Sequence, residues 1–280
     1  MVKIRYNNIL LQVFSYLLLV IIASFSILPF IWMIFTSIKP SNEVFTTPPK
    51  LFAENPTISN YLRVILKTDI PRAFLNSTVV AFFTVGITLV ISILSGYGLS
   101  RYKFKGMEMT SISLLFGQML PQVVLVIPLF MIYHKIGLID TYFVLILSNL
   151  IITVPISVLI LRSFINTIPK ELEEAAKIDG CSSLGALFRV IVPVITPGII
   201  AVSVFSFLLA WDEFLFALNF ITSTRLKTLP LALAALSGQH YIDWGGLMAA
   251  SVIISFPVLM VFLIFNRYFI KGLFEGAIKG

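Results

Sequence analysis

The sequence predicts an all-α membrane protein: six transmembrane helices, both termini in the cytoplasm, and a polar helical segment on the cytoplasmic side between the fourth and fifth spans. Three observations predict it. Of 280 residues 58% are hydrophobic and only 12% are charged, far from the ~25% charged of ordinary soluble domains. The mean hydropathy is +1.00. Six stretches lack Asp, Glu, Lys and Arg over about twenty residues or more, the length a helix rising about 1.5 Å per residue needs to cross a ~30 Å hydrocarbon layer. This balance excludes a water-soluble enzyme. It also excludes a disordered or collagen-like chain, because the 14 Pro and 15 Gly are scattered without a triplet period. A single cysteine, Cys181, excludes an internal disulfide framework and a multi-cysteine metal site.

The span cores fall at residues 10–35, 73–98, 111–133, 142–161, 198–220 and 247–265. The first is too long for a signal-peptide core and has no small-residue cleavage site near its end, so it is expected to stay as an anchor. An even number of spans puts both termini on one side. Placing them inside gives the cytoplasm 12 Lys and Arg against 8 outside, and five of those eight lie in one long loop. The short turn carrying Arg101, Lys103 and Lys105 decides for the inside, giving an N-in, C-in topology. Cations spread over short loops, with a net charge of +7, report orientation and do not form a nucleic-acid face.

The outer loop 39–72 is the main polar insertion. Pro40, Pro48, Pro49 and Pro56 predict an irregular start, and a short helix follows over 59–67. Prolines inside spans, at Pro29, Pro121, Pro128, Pro155 and Pro257, each remove a backbone donor and are expected to kink their helices. His134 and His240 stand alone at loop edges without ligand spacing. Asn76-Ser77-Thr78 matches a glycosylation acceptor only by chance, since it lies where the second span begins.

The informative segment is 168–197, IPKELEEAAKIDGCSSLGALFRVIVPVITP. It is too long for a turn and rich in helix formers. Pro169 fits the first helical position, and Glu171, Glu173 and Glu174 occupy the first turns, where the helix dipole favours negative charge. Leu172, Ala175, Ala176 and Asp179 follow at i, i+3, i+4 and i+7 and predict one narrow face of small residues. Gly180 supplies a stop, and a second helical run with Leu184, Leu187, Phe188 and Ile191 leads to Pro193 and Pro197. Small side chains allow close backbone approach, so such a helix suits a groove on another protein. Its acidic character argues against an ordinary helix resting on lipid.

The run Glu174-Ala175-Ala176-x-x-Asp179-Gly180, with Phe188, Ile191, Pro193 and Pro197 after it, resembles the EAA loop of permease subunits in ATP-binding-cassette importers of bacteria and archaea. Residue types, spacing and position before the penultimate span all agree. Further segments resemble the carbohydrate-uptake branch, in particular the shorter, six-span permease of maltose-type systems. They are SIKPSNEVF at 37–45, FLNSTVVA at 74–81, GYGLSRYKFKG at 96–106, IPLFMIYHKIGLIDT at 127–141, WDEF at 211–214 and the ending RYFIKGLFEGAIKG. One departure is Asp212, where relatives commonly carry Asn. The resemblance covers nearly the whole chain and implies a single transmembrane domain over 1–280, with 168–197 as the loop that couples it to an ATPase. Glu171, Leu172, Glu174, Ala175, Ala176, Asp179, Gly180 and Phe188 are then the coupling residues. It further implies a second permease, two ATPase subunits holding ATP and Mg, an extracytoplasmic solute-binding protein, a sugar substrate and a prokaryotic inner-membrane location.

The chain has no G-x-x-x-x-G-K-[ST] loop, so nucleotide hydrolysis is expected on a separate subunit, and the resemblance implies that this chain is a transport subunit without a cofactor of its own. Asp212 and Glu213 are the only carboxylates well inside a span, about 21 Å along the fifth. Charge there costs ~2.5–3.5 kcal/mol. Two uses are open: a wet pathway or gate lined by Trp211, Asp212, Glu213 and Phe214, or a structural hydrogen bond to a partner subunit. Two other functions compete. One is the same machinery with a non-sugar cargo, and the other is an ion-coupled carrier using Asp212 and Glu213, which leaves the acidic helix without a purpose. An intramembrane enzyme is disfavoured because no H-E-x-x-H or G-x-S-x-G run occurs.

Overall fold

The computed structural model describes residues 9–237 and 242–277, with side chains given over 11–237 and 242–265. His240 and the basic N-terminal residues lie outside the described residues. Among the described residues the chain is helical, with one isolated β-bridge, between Ser237 and Ile242. It divides into two compact units, Met1–Thr68 with Leu236–Ile253, and Asp69–Ala235 with Ile254–Gly280.

The first unit begins with α1 (Ile9–Ser37), apolar and exposed on every side until its last turn, as a lipid-facing helix would be. A 3-10 turn at Ser41–Glu43 and α2 (Ser59–Lys67) follow. The proline-rich stretch between them makes no regular ladder, so side chains satisfy its backbone. Glu43 accepts the backbone N–H groups of Glu54 and Asn55 at 2.8 and 3.1 Å. Buried Asn60 donates to the carbonyls of Ser37 and Lys39, which fastens α2 to the end of α1. Arg63 of α2 pairs with Asp243 at 2.8 Å, just before α13 (Trp244–Ala277) begins.

In the second unit, α3 (Ile70–Arg101) packs along α6 (Tyr142–Asn166). The contact is built from small and hydroxyl residues at helical spacing: Thr84, Thr88, Ser92 and Gly96 on α3, and Asn149, Thr153 and Ser157 on α6, all buried. Such residues let backbones approach closely where no hydrophobic force separates helix from lipid. Thr88 and Thr153 share a hydrogen bond of 2.8 Å across it. A Cβ on Gly96 would sit 3.1 Å from the Arg162 backbone nitrogen, so the contact tightens at that end.

Two of the expected spans are broken. Instead of one helix over 111–133 there are α4 (Met107–Met119) and α5 (Gln122–Lys135), bent by 101°. The cause is Pro121. It lacks a donor and forces the preceding Leu120 out of the helical region, to ψ 122. Pro29, Pro128, Pro155 and Pro257 remain inside their helices. Among the described residues four helices are long and apolar enough to cross a membrane, or up to six if each bent pair counts as one span.

After α7 (Lys170–Ile178) and α8 (Ser183–Ala186), a π-helical turn at Leu187–Ile191 and α9 (Val192–Val194) complete a run that bends by 80° into α10 (Thr196–Trp211). Gly198 seats α10 on α6, for a Cβ there would lie 2.6 Å from the Phe164 ring. The helix expected over 198–220 stops at Trp211. It resumes as α11 (Leu215–Phe220), followed by a 3-10 turn at Thr224–Leu226 and α12 (Leu229–Leu236).

Candidate functional site

The segment 168–197 forms the helix that its composition predicts, with a one-residue shift at its start. Pro169 is the residue before the helix, in an extended conformation with ψ 139, and Lys170 is the first helical residue. The stop is a Schellman motif. The backbone N–H of Gly180 bonds the carbonyl of Lys177 and that of Cys181 bonds Ala176, each at 3.0 Å. This needs a left-handed residue, and Gly180 has φ +87°. Ser182 then caps α8 by accepting the N–H of Gly185 at 3.1 Å.

The two faces of α7 differ from the expected division. Glu171, Leu172, Glu174, Ala175, Asp179 and Gly180 are exposed, but Ala176 is 8% exposed and turns inward beside Glu173. A spacing of i, i+3 places 173 and 176 on one stripe, which the body of the protein covers. The second run splits in the same way. Leu187 and Ile191 are buried in a core with Tyr97, Leu161, Ile165 and Ile195, whereas Leu184 and Phe188 face out. Ile178, not expected at this surface, is the most exposed at 86%. The outer surface of the loop therefore presents Leu172, Ile178, Leu184 and Phe188 among Glu171, Glu174 and Asp179.

Sequence reasoning missed the anchor of this helix. Glu173 is buried and meets three donors: Arg101 Nε at 3.0 Å, Lys177 Nζ at 2.8 Å and the Tyr97 hydroxyl at 2.5 Å. Burial pushes the Glu173 carboxyl up, but hydrogen bonds from Lys177 and Tyr97 and the charges of Lys177 and Arg101 outweigh it and hold it below the usual carboxylate range. The same hydrogen bond raises the Lys177 ammonium above its ordinary value. Arg101 spends a second nitrogen on the carbonyl of Ile168 at 3.0 Å. The only sequence signal was the short basic turn after the second span, which reads first as a marker of orientation.

Trp211, Asp212, Glu213 and Phe214 sit at the break between α10 and α11. Trp211 is 2% exposed; it stacks on Phe207 at 5.3 Å, meets Phe74 edge-on and donates to the Ile254 carbonyl. Asp212 ends α10 and is exposed, as is Phe214. Glu213 is buried and accepts the backbone N–H groups of Phe216 and Ala217 at 2.5 and 3.1 Å, so it caps α11. α11 in turn packs against α5, with Phe220 edge-on to Tyr133 at 5.6 Å. At the same end of the second unit, Asn76 donates to the carbonyls of Arg225 and Lys227 and accepts from Tyr142, so the glycosylation match is a buried structural residue. Cys181 is a free, partly exposed thiol.

Comparison with known proteins agrees with this architecture. The chain is 37% identical over 264 residues to the trehalose/maltose transport system permease protein MalG of Thermococcus litoralis, covering 93% of this chain and 94% of that protein. It is 35% identical over 252 residues to the sulfoquinovosyl glycerol transport system permease protein SmoH of Agrobacterium fabrum, covering 90% and 88%. A crystal structure of a bacterial ABC transporter involved in the import of the acidic polysaccharide alginate shares the fold, with a TM-score of 0.80 at 21% identity over 93% of this chain and 96% of that one. Residues 88–275 match the family described as binding-protein-dependent transport system inner membrane component. The chain is a membrane transport subunit, a permease, and belongs to that family.

Proposed function

We propose that this chain forms half of the translocation pathway of an ATP-driven sugar importer. It pairs with a second permease, receives solute from an extracytoplasmic binding protein, and couples to two ATPase subunits that hold ATP and Mg. α7 and α8 are the docking element for one ATPase, on the cytoplasmic side, with both termini on that side. The observation that carries this reading is the outer surface of the 168–197 loop: Leu172 and Ile178 on α7, and Leu184 and Phe188 just after it, stand exposed beside Glu171, Glu174 and Asp179, while α7 is held to the body through Glu173 and Ala176. Large apolar residues in water at a loop end call for a protein partner. The relatives named for trehalose/maltose and for sulfoquinovosyl glycerol support a sugar as cargo. A carrier working through Asp212 and Glu213 loses support, since the Glu213 carboxylate is committed to capping α11.

The test is purification from the native membrane followed by reconstitution. An ATPase subunit and a second permease are expected to come with the chain, and labelled trehalose or maltose to enter vesicles only with ATP and binding protein present. Solute accumulation by the chain alone without nucleotide overturns the proposal.

A further inference from the structure

The last turn of α3 grips three successive parts of the chain that leads into α7. Ser100 bonds Asn166 at the end of α6 at 2.7 Å, Arg101 bonds the carbonyl of Ile168 in the linker, and Arg101 with Tyr97 bonds Glu173 inside α7. The linker between α6 and α7 would otherwise act as a hinge, because Pro169 is extended there and no helix runs through it. Arg101 bridges that hinge, with one nitrogen on each side. A guanidinium suits this role, since its rigid fork holds two acceptors in fixed directions where an ammonium on a flexible stem would not. One turn earlier, Gly96 brings α3 into backbone contact with α6. Ile178, 86% exposed, stands on the side of α7 away from the gripping residues Glu173 and Ala176.

We infer that Arg101, helped by Tyr97, is the positioning residue that locks α7 to α3, so that α3, α6 and α7 move as one block when an ATPase displaces α7. This rests on the proposed role of the 168–197 loop. The block has reach. α3 is 32 residues long, about 48 Å at helical rise. Its far end holds the 221–229 segment, through Asn76 on the carbonyls of Arg225 and Lys227 and Ser77 on the N–H of Leu229. A push on α7 is thereby delivered to the opposite end of the second unit along one rod, without a change in any bond between the two.

The experiment uses the complete transporter in nanodiscs, with Cys181→Ser and spin labels at Lys170→Cys, the exposed first residue of α7 and outside the docking surface, and at Phe82→Cys on the exposed side of α3. The distance between the labels is measured without nucleotide and after trapping with ATP, Mg and vanadate. With Arg101 present it is expected to change by no more than ~2 Å. In Arg101→Met it changes beyond that range, and ATP-driven uptake of labelled trehalose or maltose falls about tenfold while the ATPase still copurifies. Tyr97→Phe, which keeps the ring packing, shows a smaller effect in the same direction. The double variant Arg101→Glu with Glu173→Arg restores the fixed distance and part of the uptake. A distance that shifts on trapping with Arg101 intact overturns the lock, as does an Arg101→Met protein that keeps both distance and uptake. Failure of any ATPase to copurify with the unaltered chain defeats the reading of the loop instead, and is read before any variant is compared.

Discussion

The carboxylate of Glu213 accepts the backbone N–H of Phe216 at 2.5 Å and so closes the gap between α10 and α11. A helix start leaves N–H groups unpaired, and inside a membrane no water replaces them. Glu213 therefore serves structure, while its neighbour Asp212 stays exposed. Glu213→Ala is expected to destabilise the chain by about 1–2 kcal/mol through loss of the cap, and Asp212→Asn to stay within about 0.5 kcal/mol. Thermal unfolding in detergent compares them. Equal effects would remove the distinction between the two carboxylates, and loss of transport in Asp212→Asn would return a charge-dependent role to that position.

Ala175 and Ala176 are adjacent and opposite in function. Ala175→Arg is expected to leave stability within about 0.5 kcal/mol but to prevent ATPase copurification. Ala176→Leu adds volume to a covered site, at a cost of about 1–3 kcal/mol. The pair is checked by melting temperature and pull-down together. If Ala176→Leu melted normally and only lost its partner, the inward placement of Ala176 would be wrong.

Gly180 ends α7 at φ +87°. A β-branched side chain there meets the left-handed penalty, so Gly180→Val costs about 1–2 kcal/mol and frays the last turn that carries Ile178. The measure is hydrogen exchange at Cys181, whose N–H bonds Ala176 in the native turn. Protection unchanged from the parent would count against a strained stop.

Asp140 supplies a pH test on loop residues. Its carboxyl is held below the ordinary value by hydrogen bonds from the backbone of Ser223, against an opposing push from burial, and from Thr222. A lowered carboxylate contributes stability that is fully present above the unfolded value of about 4 and disappears as pH falls through its lower folded value. The 221–229 segment should resist protease at neutral pH and loosen only in acid below about pH 4. Asp140→Ala should show the loosened pattern at neutral pH as well. Cleavage that is independent of both pH and Asp140 would show that Asn76 and Ser77 hold the segment unaided.

The class of the molecule and the existence of its key segment were legible in the residues alone. Those depend on composition and local spacing: uncharged runs long enough to cross a bilayer, and acids, alanines and a glycine at fixed intervals around one short helix. Local geometry also made Gly180 legible as a stop, because only its φ had to be right. The tertiary structure decided what faces what. Ala176 turns inward and Ile178 outward on α7, and Leu187 turns inward beyond it, because of the neighbours that α3 and α6 bring, and the periodicity of a nine-residue helix does not contain that information. Of the donors to Glu173, Arg101 lies 72 positions away, and Glu213 reads as a charge stranded in a span because nothing local marks the helix break beside it. Pairings across such distances arise from packing, where burial and unmet hydrogen bonds choose among arrangements that the chain's local preferences leave equal.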